Sequence, residues 1–203
     1  MDLFEAINTQ RAMRRLLPEP VPDELIWRIL EAATRAPSGG NYQLWSFIVI
    51  RDPDIRQRIA GLYLDGYRRS QAGLGEAIQA SEMAIRMTRS ADYLAQHMAE
   101  VPVLILVTAR PAYTDPITPP GASIFPAVQN LMLAARALGL GTTLTTVHRH
   151  HEAEIKELLG IPEDVETMAL IPVGWPRGRF GSGARRPVEK VTYWDRWGLR
   201  REL

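Results

Sequence analysis

Arg11, Arg14 and Arg15 bring three guanidinium groups into one short segment, and Arg185-Arg186-Pro187 brings two more near the far end of the chain. At spacings i, i+3 and i+4, Arg11 and Arg15 are expected to project from one helical or near-helical face, where two planar forks could share one anion. Pro187 holds the preceding residue extended and could aim an arginine at the same point. Arginine supplies all but two of the 24 basic residues, Lys156 and Lys190 being the exceptions, so a solvated charged face is the alternative for any one pair.

A second constellation is neutral. Ala36-Pro37-Ser38-Gly39-Gly40-Asn41-Tyr42-Gln43-Leu44-Trp45 ends an amphipathic pattern and enters an apolar one. Pro37 stops a helix, Gly39 and Gly40 permit positive φ and close backbone approach, and Ser38, Asn41 and Gln43 offer uncharged polar groups. With no charge between Arg35 and Arg51, the loop suits a polyhydroxylated heteroaromatic ligand better than a bare phosphate or a metal. The same residues also make an ordinary helix-to-strand turn. Thr142-Thr143-Leu144-Thr145-Thr146-Val147 carries hydroxyls where a fully buried strand would be aliphatic, facing either a polar ligand edge or a solvated sheet face.

Other chemistries are not indicated. His148-Arg149-His150-His151 lacks the spacing of a structural zinc site and is expected to be a solvated helix entrance, with no metal bound. Gly-x-Ser-x-Gly is missing, and Gly139-Leu140-Gly141 follows a helix and precedes a strand, the reverse of the dinucleotide-binding order. No cysteine is present, which removes disulfides, iron–sulfur ligation and a thiol nucleophile.

The elements that must position these groups fit one domain. The chain has 203 residues, 46% hydrophobic and 23% charged, enough for a well-buried core. A formal charge of +1 gives no global field for nucleic acid or an anionic membrane, so neither is an expected partner. Asp2 and Glu5 interrupt the N-terminus, so it does not read as a secretory signal. The apolar runs near Trp45–Ile50 and Val101–Val107 are shorter than the roughly 20 residues of a spanning helix. A soluble, cytoplasmic protein is the expectation.

Helical spacing predicts helices from Pro22 to Ala36, over Asp54–Tyr63, from Ala122 to Gly139, and over Glu152–Leu159, the last closed by Gly160 and Pro162. Strands are expected at Trp45–Arg51, Val101–Thr108, Thr142–Val147 and Glu166–Val173. Pro111–Gly121 reads as an extended loop, and Gly75–Ala99 as a helix-forming segment of poor periodicity that could cover a pocket. Strands separated by helices imply a three-layer α+β or α/β domain. Residues 174–203 hold Trp175, Trp194 and Trp197 without a periodic run, and are expected to lie as an arm across a partner or their own domain.

As a set, these segments resemble the nitroreductase family of flavin mononucleotide (FMN) enzymes, over essentially the whole chain and in the family's order. Its Arg-x-Ser-x-Arg/Lys opening and Pro-Val-Pro helix start are matched by Gln10-Arg11-Ala12-Met13-Arg14-Arg15 and Pro20-Val21-Pro22. Its Pro-Ser-x-x-Asn-x-Gln-Pro-Trp loop is matched by Pro37, Ser38, Asn41, Gln43 and Trp45. Its Gln-Asn helix, Gly-Leu-Gly-Thr turn and terminal Arg-Pro look like Gln129-Asn130, Gly139-Leu140-Gly141-Thr142 and Arg185-Arg186-Pro187. Met13 replaces the usual serine, Leu44 the usual proline, and Thr146-Val147 the commoner Glu-Gly or Gly-Gly.

The resemblance implies an α+β fold, a mostly antiparallel sheet between helices, and a homodimer whose C-terminal arms embrace the partner. Residues 1–203 would be a single domain with 174–203 as that arm. It implies that Arg11 and Arg185 hold the flavin phosphate, with Met13 at the position of the family's phosphate-binding serine, and that Arg15 sits by the pyrimidine edge. Thr146 and Val147 would face N5, and Pro37, Ser38, Gly39, Asn41 and Gln43 would line the cofactor, the loop reaching in from the other subunit. NAD(P)H would deliver hydride and a small acceptor such as a nitroaromatic or quinone would take the electrons in ping-pong turnover, with no dedicated catalytic side chain. A non-catalytic flavin-binding module is the alternative outside enzymes; flavin-fragmenting and dehalogenating branches are alternatives within the family. The expected lid holds no lysine, which counts against the iodotyrosine-dehalogenating branch.

Overall fold

The computed structural model describes residues 1–72, 81–110 and 121–201. Its center is a four-stranded sheet, β1 (Trp45–Ile50), β2 (Val103–Ala109), β3 (Gly141–Thr142) and β4 (Glu166–Gly174), in the order β1-β2-β4-β3 with every strand pair antiparallel. Six helices among the described residues surround it: α1 (Leu3–Thr9), α2 (Asp23–Thr34), α3 (Pro53–Ala72), α4 (Glu82–His97), α5 (Gly121–Ala137) and α6 (Glu152–Leu159). β2 is buried along its whole length because its alternate residues serve two cores. Val103, Ile105, Val107 and Ala109 pack with α2 and α5, whereas Leu104 and Leu106 pack with α3, α4 and α6. The result is the three-layer α+β arrangement.

Local chemistry explains the helix starts. Asp2 accepts hydrogen bonds from the Phe4 and Glu5 amides, and Asp52 accepts from those of Asp54 and Ile55, with Pro53 preset for the first helical position. Gly160, at φ 64°, closes α6 in the left-handed conformation. α3 runs on to Ala72, beyond the expected end at Tyr63. Its C-terminal half is held by packing on a short 3-10 turn, Val147–His151, which local periodicity does not register.

Two further expectations are corrected. Arg11 to Arg15 do not form a helical face, because α1 ends at Thr9 and the following backbone pairs with the sheet edge: the Met13 amide donates to the Thr142 carbonyl at 2.9 Å. The expected strand Thr142–Val147 is interrupted. Gly141 and Thr142 pair with Gly174 and Val173, and Thr145 pairs with Leu170 in the same register, which sets Thr143 opposite Pro172. Proline has no N–H to give at that hydrogen-bonding position, so the ladder breaks there. Of the Gly75–Ala99 segment, residues 75–80 lie outside the described residues and α4 begins at Glu82; of the expected loop Pro111–Gly121, residues 111–120 also lie outside them and Gly121 opens α5.

The Val147–His151 turn approaches α3 closely at Gly66. A Cβ there would meet the Val147 carbonyl oxygen at 2.9 Å and the His150 Cβ at 3.1 Å. Alanine normally stabilises a helix interior over glycine by about 1 kcal/mol, but a backbone carbonyl cannot rotate aside as a side chain can. Gly66→Ala is therefore expected to destabilise the fold by about 1–2 kcal/mol, read as a lower urea midpoint.

Candidate functional site

The arginine cluster is positioned by backbone pairing on both of its sides. Met13 bonds to Thr142 on one side; on the other, the Leu17 amide donates to Trp175 at 2.7 Å and the Arg177 amide to Arg15 at 2.9 Å. Gly141 makes the first approach possible, since a Cβ there would lie 2.8 Å from Leu16 Cδ2 and 2.9 Å from Met13 Cβ. The segment thus lies as an extended strip between β3 and the chain leaving β4. Arg11, Ala12, Met13, Arg14, Arg15, Ser90, Arg177 and Gly178 line a cleft of about 300 Å³ along it.

Four guanidiniums meet no carboxylate in this cleft. Among the described residues, Arg11, Arg14, Arg15 and Arg177 take part in no salt bridge. Uncompensated like charges held together by backbone are what an anion site requires. Arg11 Nη2 also donates to the Arg179 carbonyl at 2.9 Å, leaving other donors of its fork for a ligand. The Met13 side chain enters the core, so its contribution to the cleft lining does not require an exposed thioether. A larger groove of about 650 Å³ between α3 and α6 mixes Arg58 with Glu154 and Glu157, so its charges offset one another.

The other expected site residues lie elsewhere in the subunit. Pro37, Gly39, Asn41 and Gln43 are exposed and Ser38 is half-buried, none of them lining the arginine cleft. Their loop rests on α5, where the Gly39 amide donates to Ser123 Oγ at 3.2 Å, and it is braced internally by the Gln43 amide donating to Ser38 Oγ at 3.2 Å. Thr146 is exposed and Val147 half-buried at the turn on α3. Thr143 and Thr145 hydroxyls are spent on the Met13 and Leu170 carbonyls, at 3.1 and 2.9 Å, and do not face a ligand. Arg185 is exposed in the tail, its Nη1 donating to the adjacent Ala184 carbonyl at 3.0 Å. Sequence reasoning passed over Arg14, Ser90 and Arg177 as cleft residues. Arg14 was visible in its cluster, but Arg177 was grouped with the arm, and Ser90 is brought in by the docking of α4.

Arg149 and His150 are exposed as expected, but His148 and His151 are not part of a solvated entrance. His148 is fully buried with neither ring nitrogen hydrogen-bonded, and burial pushes its pKa down to about 4. Three residues on, His151 donates from Nδ1 to Glu154 at 2.8 Å and from Nε2 to Asp65 at 2.7 Å, and those two bonds hold its pKa above the usual value. Among the described residues no group of three or more potential ligands could hold a metal ion. Likewise, no described helix is long and apolar enough to cross a membrane.

The profile of the Nitroreductase family matches residues 7–175. The chain belongs to that family. A protein of Methanothermobacter thermautotrophicus, provisionally named an NADH dehydrogenase/NAD(P)H nitroreductase, is 31% identical over 189 residues, covering 90% of this chain and 81% of that protein. Among solved structures, a BluB-like flavoprotein from Clostridium difficile 630 superposes with a TM-score of 0.74 at 26% identity, covering 97% of this chain and all of that one, 100%. Oxidized iodotyrosine deiodinase bound to FMN and 3-iodo-L-tyrosine shares the fold, with a TM-score of 0.75 at 22% identity over 92% of this chain and 96% of that chain.

The two buried histidines predict opposite pH responses. His148 has a depressed pKa in the fold, so its neutral burial costs nothing extra above about pH 6.5 and becomes a liability as acid protonates the unfolded chain. Between pH 7 and pH 5 this should remove about 2 kcal/mol of stability. His151 acts the other way, since its stabilisation is present at low pH and is lost as pH rises through its elevated value. Urea midpoints at the two pH values should show a smaller acid loss in His148→Leu than in the parent.

Proposed function

We propose that the protein is an FMN-dependent oxidoreductase that uses NAD(P)H to reduce small acceptors such as nitroaromatics or quinones. The observation that carries this reading is the cleft of Arg11, Arg14, Arg15 and Arg177, four guanidiniums without a carboxylate partner among the described residues. Such a cluster fits a phosphate dianion at one end and the electron-rich pyrimidine edge of a flavin at the other. When bound, FMN supplies a two-electron carrier between NAD(P)H and the acceptor, in alternating half-reactions.

The chain's own residues have distinct tasks in this scheme. Arg11, joined by Arg185 from the tail, neutralises the phosphate. Arg15 presents a fixed positive charge to the pyrimidine edge, where negative charge grows on reduction; a preorganised cation there needs no reorganisation during the reaction. The Thr146-Val147 backbone would offer an N–H to the hydride-accepting edge, the Thr146 carbonyl being taken by the Arg149 amide at 3.1 Å. No side chain is required to move a proton for hydride delivery itself.

The site is proposed to be completed by a second copy. About 300 Å³ lies at the lower end of ligand pockets, and the neutral Pro37–Gln43 loop does not line it within one subunit. Trp175 to Phe180 are tied to their own subunit, with Arg177 bonded to Arg15 and Arg136 stacked 4.1 Å over the Phe180 ring. From Pro187 onward the described hydrogen bonds stay within the tail, and Trp197 is 88% exposed. This later stretch is the arm available to a partner.

Purified protein should carry, or take up, a flavin absorbance that NAD(P)H bleaches and a quinone or nitroaromatic restores. A bound flavin that NAD(P)H cannot reduce would instead favor a storage module. Arg11→Ala should raise the dissociation constant for FMN about tenfold to a hundredfold by removing a charged hydrogen-bonding partner, measured by quenching of flavin fluorescence. Ending the chain after Phe180 should convert the dimer to a folded or unfolded monomer in sedimentation runs; a dimer that persists would assign the interface elsewhere.

A further inference from the structure

Arg15 is exposed and makes no ion pair among the described residues, yet its guanidinium has a fixed neighbor. Its Cζ lies 4.3 Å from the centroid of the Tyr93 ring on α4. His97 stacks on the same ring, at 4.0 Å between centroids and tilted by only 10°. His97 is held in place by donation from Nδ1 to the Tyr93 carbonyl at 2.8 Å. Ser90, one turn before Tyr93 on the same helix, lines the arginine cleft. Leu94 and Ala95, adjoining Tyr93 in sequence, are buried and anchor this part of α4 in the core.

We propose that Tyr93 is a positioning residue that holds the Arg15 guanidinium flat against its ring, so that the arginine's in-plane N–H groups face a planar ligand edge in the cleft. The proposal rests on the reading that this edge belongs to a flavin. An unrestrained arginine loses side-chain entropy when it orders on a ligand. A guanidinium already stacked on an aromatic face has less freedom to lose, and the ring quadrupole attracts the cation without consuming any of its donors. The His97 stack resists rotation of the ring away from Arg15. Tyr93 thereby sets both how tightly the cleft holds its ligand and how strongly Arg15 favors the reduced, more negative form.

The test uses the full chain with Tyr93→Phe, Tyr93→Leu, Arg15→Ala and the Arg15→Ala/Tyr93→Leu pair. Tyr93→Leu is expected to weaken FMN binding about threefold to thirtyfold, the range of a partly desolvated cation–π contact. It should weaken reduced FMN more than oxidised FMN; each tenfold difference lowers the midpoint potential by about 30 mV. Tyr93→Phe should restore both, because the ring face is kept, and Tyr93→Leu should add nothing once Arg15 is alanine. An equal effect of Tyr93→Leu with and without Arg15, or failure of Tyr93→Phe to restore it, would overturn the proposal. In flavin-free protein, the Arg15 Nε–H resonance should be displaced by the Tyr93 ring current and return toward its free position in Tyr93→Leu. An undisplaced Arg15 resonance overturns the stacking itself, whereas a displaced one in a protein that never binds FMN overturns the cofactor reading alone.

Discussion

The double backbone pairing of residues 11–17 is the constraint on which the rest of the site depends. On one flank the strip extends the sheet past β3, and on the other it receives the chain that leaves β4. Guanidiniums repel one another, so a cluster of this kind does not assemble by side-chain attraction. It forms because main-chain bonds and two burial sites, those of Met13 and Leu16, fix the backbone that carries it. Gly141 and Gly174 enter as spacers: a Cβ on the first would run into Leu16 and Met13, and one on the second into Pro102 and then Leu16. A glycine pair in the sheet is therefore part of the charge arrangement, though neither residue bears charge.

The same logic of placement by packing governs the turn after β3. His148 and His151 are separated by two residues and meet opposite environments. One is enclosed without a partner, the other bridges Asp65 on α3 and Glu154 on α6. His151, Arg69 and Asp65 tie the C-terminal half of α3 to the turn, with Arg69 Nε 2.7 Å from Asp65. Gly66 lets the two surfaces close. The Thr146-Val147 backbone is thus set by a polar clamp on one side and a close backbone approach on the other, and by the pairing of Thr145 with Leu170 just before it.

Elements whose causes are local were legible in the sequence. Pro22 with Asp23 and Glu24, Asp52 with Pro53, and Gly160 each mark a helix end through a bond or dihedral that nearby residues decide. The aliphatic runs of β2 and β4 announced strands, and the fold buries both almost throughout. What escaped has its cause on a different element. The break at Thr143 is dictated by Pro172 on the neighboring strand, and the extended path of Arg11–Arg15 by the carbonyl of Thr142. Arg177 entered the cleft through pairing with Arg15, and the stack on Tyr93 required α4 to dock, so no periodicity within either segment could reveal them. The family pattern assigned the Pro37–Gln43 loop to the cofactor of the other subunit, and within one subunit the loop indeed does not line the arginine cleft.

That separation has a physical counterpart in backbone strain. Gly40, Asn41 and Gln43 all have positive φ, at 56°, 56° and 52°, and the last two carry side chains that pay for this conformation. The left-handed region costs a residue such as Gln roughly 1–2 kcal/mol, and asparagine somewhat less. The Ser38 hydroxyl holds the Gln43 amide, and Gln43 Nε2 reaches the Asn41 carbonyl and side-chain oxygens at 3.4 and 3.2 Å, so the loop is strained and braced at once. An exposed turn serving only to connect α2 to β1 could relax to ordinary dihedrals. In the proposed dimer the division of labor is then clear: the strip between β3 and the tail supplies charge on a rigid backbone, while the loop supplies uncharged edges already fixed in shape. Keeping the cations out of the strained half leaves it free to approach the ligand without adding to their repulsion, and a second copy lets the two halves meet.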